Sequence, residues 1–538
     1  MVKISKWAVA ILVWGFLFRL SIATFLQPGY DETYYYLYTL YPNWSYFDHP
    51  PLVSLVTGFG IWLTGGEVSQ LTIRLGTVIL YTGTLFLFYL TSARLFTTKV
   101  ATLSLAIVTT IPFFQIGFGI LTLPDSPLIF FWTASLCVAA HEFFPSDREQ
   151  LSENHQTPYK PTFRLAILGL LVGLACMGKY HGFLLGFGLI MFCVLSPRHR
   201  SVWRSNWTLG SIGLFLLAIS PLLIWNYQYD WVSFRFQSAR AVPNSGYRVG
   251  DLLVTFLVGV GYMFPTFGFP LWWVSLRTSF QLFQAGKFRI HQLELEPIQQ
   301  KQLLILSIAV PVFLTFTLMG GYRQILPSWH MPGFFTATLL LGQQMSLVQA
   351  QHPIRIRNWL WGSGMAIFLI LTLALLHVTD GLVQKGGDRS ILGGFWAAKD
   401  DPSTQLVDIQ QLRRGVASSD LLNTAIKQSS FIFSNNFFLA GQVAMALAPL
   451  EHKPITAFDR DLRGFAFWES AIPWLGKDAL YVTSEQFQEP LSKYDGYFQS
   501  ITKLADVPIM RGGEVVQIFQ IYRCSNLLKT YPRPYGIS

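Results

Sequence analysis

Two stretches, Gly29-Tyr-Asp-Glu-Thr-Tyr-Tyr-Tyr-Leu-Tyr38 and Trp44-Ser-Tyr-Phe-Asp-His-Pro-Pro51, follow directly on an apolar run covering residues 5–26. A run of about 20 apolar residues is long enough to cross the hydrocarbon of a bilayer. Adjacent carboxylates at the end of such a run, Asp31 and Glu32, are costly to keep there without a use. The loop they open, residues 27–67, contains no Lys or Arg and holds Asp31, Glu32, Asp48, His49 and Glu67. Its tyrosines and tryptophan fit helices lying along a membrane surface. His49 reads as a cap for a helix entered through Pro50, which would place Asp48 beside the helix start.

Outward from this loop the chain stays apolar. Of its 538 residues 51% are hydrophobic and only 13% charged. A soluble surface needs about 25% charged residues, so lipid must cover much of this protein. Further apolar windows fall near 68–91, 99–118, 126–143, 164–178, 181–196, 207–226, 252–275, 302–320, 331–348 and 357–378, eleven spans with the first. The Gly-rich segment 50–64 is shorter and reads as an interfacial or re-entrant helix. The N-terminus resembles a signal peptide in charge and length. No small-residue cleavage site follows, and Arg19 sits inside the run, so it reads as a retained span. Arg19 is expected to pair with an internal carboxylate or carbonyl.

The net charge of +10 is scattered between apolar segments, a topology signal rather than a nucleic-acid patch. Lys3, Lys6, Arg94, Lys99, Arg148, Lys160, Arg164, Arg198, Arg200, Arg204, Arg277, Lys287, Arg289, Lys301, Arg355 and Arg357 occupy one alternating set of loops. The other set, up to residue 380, has Arg74, Lys179, Arg235, Arg240, Arg248 and Arg323. The richer set is expected in the cytoplasm, with the N-terminus, which leaves the region after the eleventh span outside. The four cysteines show no metal spacing and no disulfide framework.

After residue 380 the apolar runs shorten. Phe431-Ile-Phe433, Asp478-Ala-Leu-Tyr-Val482 and Glu514-Val-Val-Gln-Ile-Phe519 predict strands, and 436–448 predicts a helix. The expected organisation is a membrane domain over 1–380 and a small extracytoplasmic α/β domain over 381–538.

An Asp-Glu pair just after the first span, followed by Tyr-Phe-Asp-His-Pro-Pro, resembles the GT-C glycosyltransferase superfamily. The branch it resembles contains the protein O-mannosyltransferases and the aminoarabinose transferase that modifies lipid A. Further matches follow in order over roughly residues 10–340. Thr122-Leu-Pro-Asp-Ser-Pro127 resembles the family's Thr-Pro-Asp segment with a leucine inserted, and Gly178-Lys-Tyr-His-Gly182 its Ser-Lys-Tyr segment. Pro221-Leu-Leu-Ile-Trp-Asn226 with Ser233-Phe-Arg-Phe-Gln237 and Arg240 resembles a later outer loop. Pro327-Ser-Trp-His-Met-Pro-Gly333 resembles its His-Trp-Pro segment with Trp and His exchanged. The implied fold is a polytopic α-helical membrane protein, GT-C-like, with about 11 transmembrane helices, juxtamembrane helices on the outer face and a small C-terminal α/β soluble domain.

The resemblance implies transfer of sugar from a polyprenyl-phosphate donor on the extracytoplasmic face of the plasma (inner) membrane. Such a reaction needs a base for the acceptor hydroxyl and cations for the departing phosphate. The family's functional Asp falls on Asp31, and Glu32 is expected to orient it or to bind acceptor. Tyr46, Asp48 and His49 are expected to line the substrate pocket. Relatives sometimes carry an acidic-basic pair where Asp48 and His49 stand, which leaves the role of His49 open. Lys179, Arg235 and Arg240 are the candidates for the phosphate, with Asp125 beside them. Blander readings stand next to these: Asp125 as a cap for the helix entered at Pro127, Lys179 as a snorkelling cation, and Arg235 and Arg240 as headgroup anchors. His330 reads as structural, and His181 is unassigned. One base and one attack predict inversion at the anomeric carbon. No metal or other cofactor is expected, although Asp31, Glu32, Asp48 and Asp125 are oxygen ligands of the right kind. The expected partners are the polyprenyl-phosphate sugar, a lipid, polysaccharide or protein acceptor, and membrane lipid. The rival class is a polytopic transporter or lipid flippase, which predicts mid-membrane charges and symmetry between halves. A rival within enzymes uses a diphosphate-linked donor.

Overall fold

The computed structural model describes residues 4–145, 159–242, 246–287 and 295–537. Lys3, Arg148 and Arg289, of the set expected in the cytoplasm, lie outside the described residues. The chain forms two compact units. One comprises Met1–Arg19, Thr77–Tyr227 and Phe234–Phe368; the other comprises Leu20–Gly76, Gln228–Ser233 and Leu369–Ser538.

The first unit is helical, and the chain is an integral membrane protein. Each of the eleven apolar windows is helical. Among the described residues five helices are long and apolar enough to cross a membrane, or up to seven if each of two bent pairs counts as one span. Their exposed side chains are the apolar ones: Trp7 and Trp14 on Lys6–Phe25, Leu209 and Leu217 on Asn206–Gln228, Trp361 and Met365 on Pro353–Asp380. Such surfaces belong in hydrocarbon rather than water. Arg19 is fully buried and donates to Gln115 Oε1 at 2.8 Å and Thr82 Oγ1 at 2.9 Å, with its guanidinium 5.1 Å from the Tyr81 ring centre. One partner is the side-chain carbonyl of Gln115, in line with the expected carbonyl, and the other is a hydroxyl.

The window 252–275 is not one straight helix. It holds two helices, Val249–Tyr262 and Pro265–Lys287, bent by 115°. Phe264 at φ 68 reverses the chain and Pro265, with no N–H to give, starts the second helix. Hydropathy sees only the sum of the two. Residues 99–118 are likewise interrupted, by Pro112 between Thr98–Thr110 and a π-helical turn at Phe114–Phe118.

In the second unit the loop after the first span forms helices Tyr30–Leu40 and Leu52–Leu63. The latter is 12 residues, about 18 Å at 1.5 Å per residue, too short for the hydrocarbon. It starts behind Pro51 with no side-chain cap, so His49 does not cap it. A five-stranded sheet has the order β2-β1-β3-β5-β4, with β1 Phe431–Ser434, β2 Ile455–Ala457, β3 Ala479–Ser484, β4 Phe498–Arg511 and β5 Glu514–Leu527. β1 pairs parallel to β2 and β3, which are buried on both faces and so read as unbroken apolar runs. β4 and β5 form an antiparallel hairpin closed by Gly512 and Gly513, both at positive φ, the backbone a two-residue turn demands. Sequence patterning finds β1, β3 and β5 and the helix Phe437–Leu447. It misses β2, only three residues long, and β4, whose alternation Lys503, Asp506 and Pro508 obscure.

Helix Tyr30–Leu40 packs on helix Phe437–Leu447 with no clearance at Gly441, where a Cβ would lie 2.8 Å from Tyr34 N and 3.0 Å from Thr33 C. Arg413 ties the far end, donating to Met445 O at 2.7 Å, Ala446 O at 3.1 Å and Val68 O at 3.0 Å. A Gly441→Val variant is expected to force these helices apart and lose about 1–3 kcal/mol. A lower thermal midpoint in detergent checks this; a wild-type midpoint contradicts the packing.

Candidate active site

The helix Tyr30–Leu40 begins with two carboxylates, which suits its positive N-terminal end. Their surroundings differ completely. Glu32 is buried and faces Arg74, also buried, through two contacts: Nε to Oε1 at 2.7 Å and Nη2 to Oε2 at 2.6 Å. Glu32 Oε2 also accepts from Gly29 N–H at 3.1 Å. Arg74 donates its remaining N–H groups to the carbonyls of Ala23 at 3.3 Å, Gln27 at 3.1 Å and Leu26. All five guanidinium donors are used, and the end of the first span is thereby capped by the cation that holds Glu32. Asp31, about 100° around the helix from Glu32, is exposed.

Asp31 shares its helix face with Tyr34, Tyr35 and Tyr38, three, four and seven residues on. These tyrosines meet the second motif. Asp48 is buried, and its Oδ1 accepts from Tyr34 Oη at 3.2 Å and from Tyr38 Oη. Arg463 Nη1 lies 3.5 Å from Asp48 Oδ2. Burial pushes the Asp48 carboxyl above its ordinary pKa, while Arg463, Tyr38 and Tyr34 draw it back part of the way. His49 is half-buried with its ring against Tyr35, 5.6 Å between centres. Tyr46 stacks on Tyr38 at 3.7 Å and donates to the Tyr38 carbonyl at 2.8 Å, an anchor for the loop more than an open binding group.

The remaining candidates lie in the first unit. Lys179 Nζ is 2.8 Å from both carboxylate oxygens of Asp125, and both residues are buried. Asp125 opens the helix Asp125–Phe143, and Lys179 closes the helix Arg164–Gly178. A Cβ on Gly178 would lie 2.6 Å from Leu128 N, so glycine lets these helix ends meet. The helix at Asp125 has no side-chain cap, so Asp125 is an ion-pair partner rather than a cap. Lys179 accordingly points inward and does not snorkel. Arg235 is exposed on the helix Val232–Ala241, and Arg240 is half-buried with its guanidinium 4.8 Å from the Phe236 ring centre. Among the described residues no group of three or more His, Cys, Asp or Glu side chains is placed to hold a metal ion.

Arg74, Tyr34, Tyr38 and Arg463 are absent from the sequence-level list. The tyrosine spacing carried a readable signal, the common face with Asp31. Arg74 stood only as an outer-loop cation, and Arg463 carried no signal.

Residues 48–225 match the family model described as dolichyl-phosphate-mannose-protein mannosyltransferase. The match begins at Asp48 and includes His49, Asp125 and Lys179; Asp31 and Glu32 precede it. ArnT from Cupriavidus metallidurans in the apo state has a similar fold, with a TM-score of 0.53 and 14% identity over 96% of this chain and 97% of that one. The same ArnT bound to undecaprenyl phosphate gives 0.52 and 14% over the same shares. The chain thus has an ArnT-like fold, and about a third of it matches the mannosyltransferase family model. A comparison with curated proteins returns no match by sequence. The expected helical membrane fold with a small C-terminal sheet domain stands.

The Asp125–Lys179 pair yields a test. Removing one partner strands a buried charge, so Asp125→Asn or Lys179→Met alone is expected to lose about 3–5 kcal/mol. The double variant is expected to lose clearly less than the two summed. Thermal unfolding of all four proteins in detergent measures the coupling, and strict additivity would show that the pair does not interact.

Proposed function

We propose that the chain is a membrane glycosyltransferase that takes sugar from a polyprenyl-phosphate donor, with Asp31 as the general base. The observation that carries this reading is the division of labour in the Asp-Glu pair. Glu32 is buried against Arg74, and Asp31 is exposed on the face that also bears the Asp48 and His49 contacts. An exposed, rigidly mounted carboxylate is what abstraction of a proton from an acceptor hydroxyl requires. Support for the donor class comes from the mannosyltransferase family model and from the similar ArnT that holds undecaprenyl phosphate. Glu32 then orients Asp31 and does not bind acceptor.

Arg235, Arg240 and Lys179 are assigned to the donor phosphate. Phosphate leaves as a stable anion, so cations rather than a general acid assist its departure. Lys179 keeps a third N–H beyond the two directed at Asp125. Asp48 and His49 stand on the substrate side, with Asp48 shaping it from beneath and Tyr46 anchoring the loop that carries them. Direct attack by the acceptor oxygen inverts the anomeric carbon. The basic-residue asymmetry of the loops supports an N-terminus in the cytoplasm, about eleven spans, and motifs and C-terminal domain on the outer face of the plasma membrane. The acceptor is a lipid, polysaccharide or protein of that compartment.

The test is transfer in liposomes from a panel of radiolabelled polyprenyl-phosphate sugars to a membrane extract. Wild type is expected to consume one donor with inversion, read by NMR of the product. Asp31→Asn is expected to lose about 10²–10⁴-fold in rate while the protein still folds, because Asn keeps the shape of the side chain and Asp31 is exposed. Full activity in Asp31→Asn removes the base assignment; retention of configuration removes the single-displacement mechanism.

A further inference from the structure

The sheet domain reaches the outer-loop motif through one residue whose conformation is unusual. Arg463 has φ 47, the left-handed region that residues other than glycine seldom occupy, and which clusters at functional sites. Everything around it holds it there. Its backbone N–H donates to Tyr535 Oη at 3.1 Å, and the next N–H, of Gly464, donates to Tyr34 Oη at 2.9 Å. Its Nε lies 2.9 Å from Asp461 Oδ2, and its guanidinium sits 4.6 Å from the Phe437 ring centre. Its Nη1 reaches Asp48. Tyr535, which fixes the Arg463 backbone, also stacks on Phe47 at 5.0 Å with the rings 3° from parallel, and Phe467 covers Phe47 at 5.7 Å.

Thus Phe47 and Asp48 of the Tyr-Phe-Asp-His motif are each gripped by the segment 461–467 and Tyr535. Tyr34, one turn beyond Asp31, bridges the two by donating to Asp48 and accepting from Gly464. A buried carboxylate calls for a counter-charge, and the Arg463 guanidinium brings one to Asp48.

We propose that Arg463 is a positioning residue for glycosyl transfer, by which the C-terminal sheet domain sets the Asp48–His49 loop against the Asp31 face of helix Tyr30–Leu40. The inference rests on the glycosyltransferase reading above. It gives the sheet domain a part in the chemistry beyond covering it: without the guanidinium, Asp48 relaxes, and with it Tyr34, Tyr38 and His49.

The decisive variant is Arg463→Gly, which removes the side chain while glycine accepts the left-handed backbone without strain. Two readouts are taken on the full-length protein. Hydrogen exchange by mass spectrometry is expected to quicken at least tenfold over residues 42–50 and to stay at wild-type rates over β3. Turnover of a radiolabelled undecaprenyl-phosphate hexose or pentose is expected to fall at least tenfold in kcat with the donor KM within twofold, and added guanidinium ion is expected to restore part of the loss. Unchanged exchange over 42–50 overturns the inference whatever the activity. A raised KM with kcat intact also overturns it, since Arg463 would then bind donor directly. If wild type consumes no donor, the glycosyltransferase reading falls, and the exchange result alone still decides whether Arg463 holds the loop. Should Arg463→Gly fail to fold, Asp461→Asn takes its place, loosening the guanidinium without altering the backbone at 463. Faster exchange confined to 42–50 supports the inference there, and its absence overturns it.

Discussion

The bidentate contact between Glu32 and Arg74 is the constraint on which the architecture of the segment after the first span depends. Both charges are buried, so each is tolerable only with the other in place. Because Arg74 also takes the last carbonyls of the first span, the pair joins the end of one helix to the start of the next and fixes the second helix about its own axis. Rotation of that helix would cost a buried salt bridge. Asp31 therefore has one direction to point in, and the tyrosines on its face have one set of partners. A carboxylate on an exposed loop would gain no such definition from its neighbours.

A second, softer constraint runs through Asp48. Here the buried carboxylate is met by two tyrosine hydroxyls and a guanidinium at a longer distance. Burial raises its pKa, and the polar partners oppose the rise without abolishing it. The two acidic motifs thus behave differently. The first is a closed ion pair that sets geometry, and the second is a hydrogen-bonded network whose members come from the loop after the first span and from the sheet domain. Tyr34 belongs to both, since it lies one helical turn from Asp31 and donates to Asp48.

Much of this was legible before any coordinates. Spans, the short helix near 50–64, three of five strands and the Asp-Glu motif follow from hydropathy and local pattern, because those signals are local. What escaped is nonlocal. Arg74 is separated by 42 residues from Glu32, and Arg463 by 415 from Asp48, and neither carries a mark of its partner. The bend at Phe264 escaped because averaging over a window merges two apolar helices into one. The caps assigned to His49 and Asp125 failed for a related reason: capping is inferred from the residue beside a proline, whereas His49 is occupied by an aromatic contact and Asp125 by a lysine from another helix.

The central claim is that Asp31 takes a proton while its neighbours only hold it in place. Chemical rescue tests that most directly. Asp31→Gly leaves a gap where the carboxylate stood, and formate is small enough to enter it and serve as base. The account predicts a folded, nearly inactive protein whose transfer rate rises with formate concentration by an order of magnitude or more, while Asp31→Gly with chloride at equal ionic strength stays inactive. A folded Asp31→Gly that transfers sugar at the wild-type rate, or one that formate cannot revive at any concentration the wild type tolerates, would contradict it.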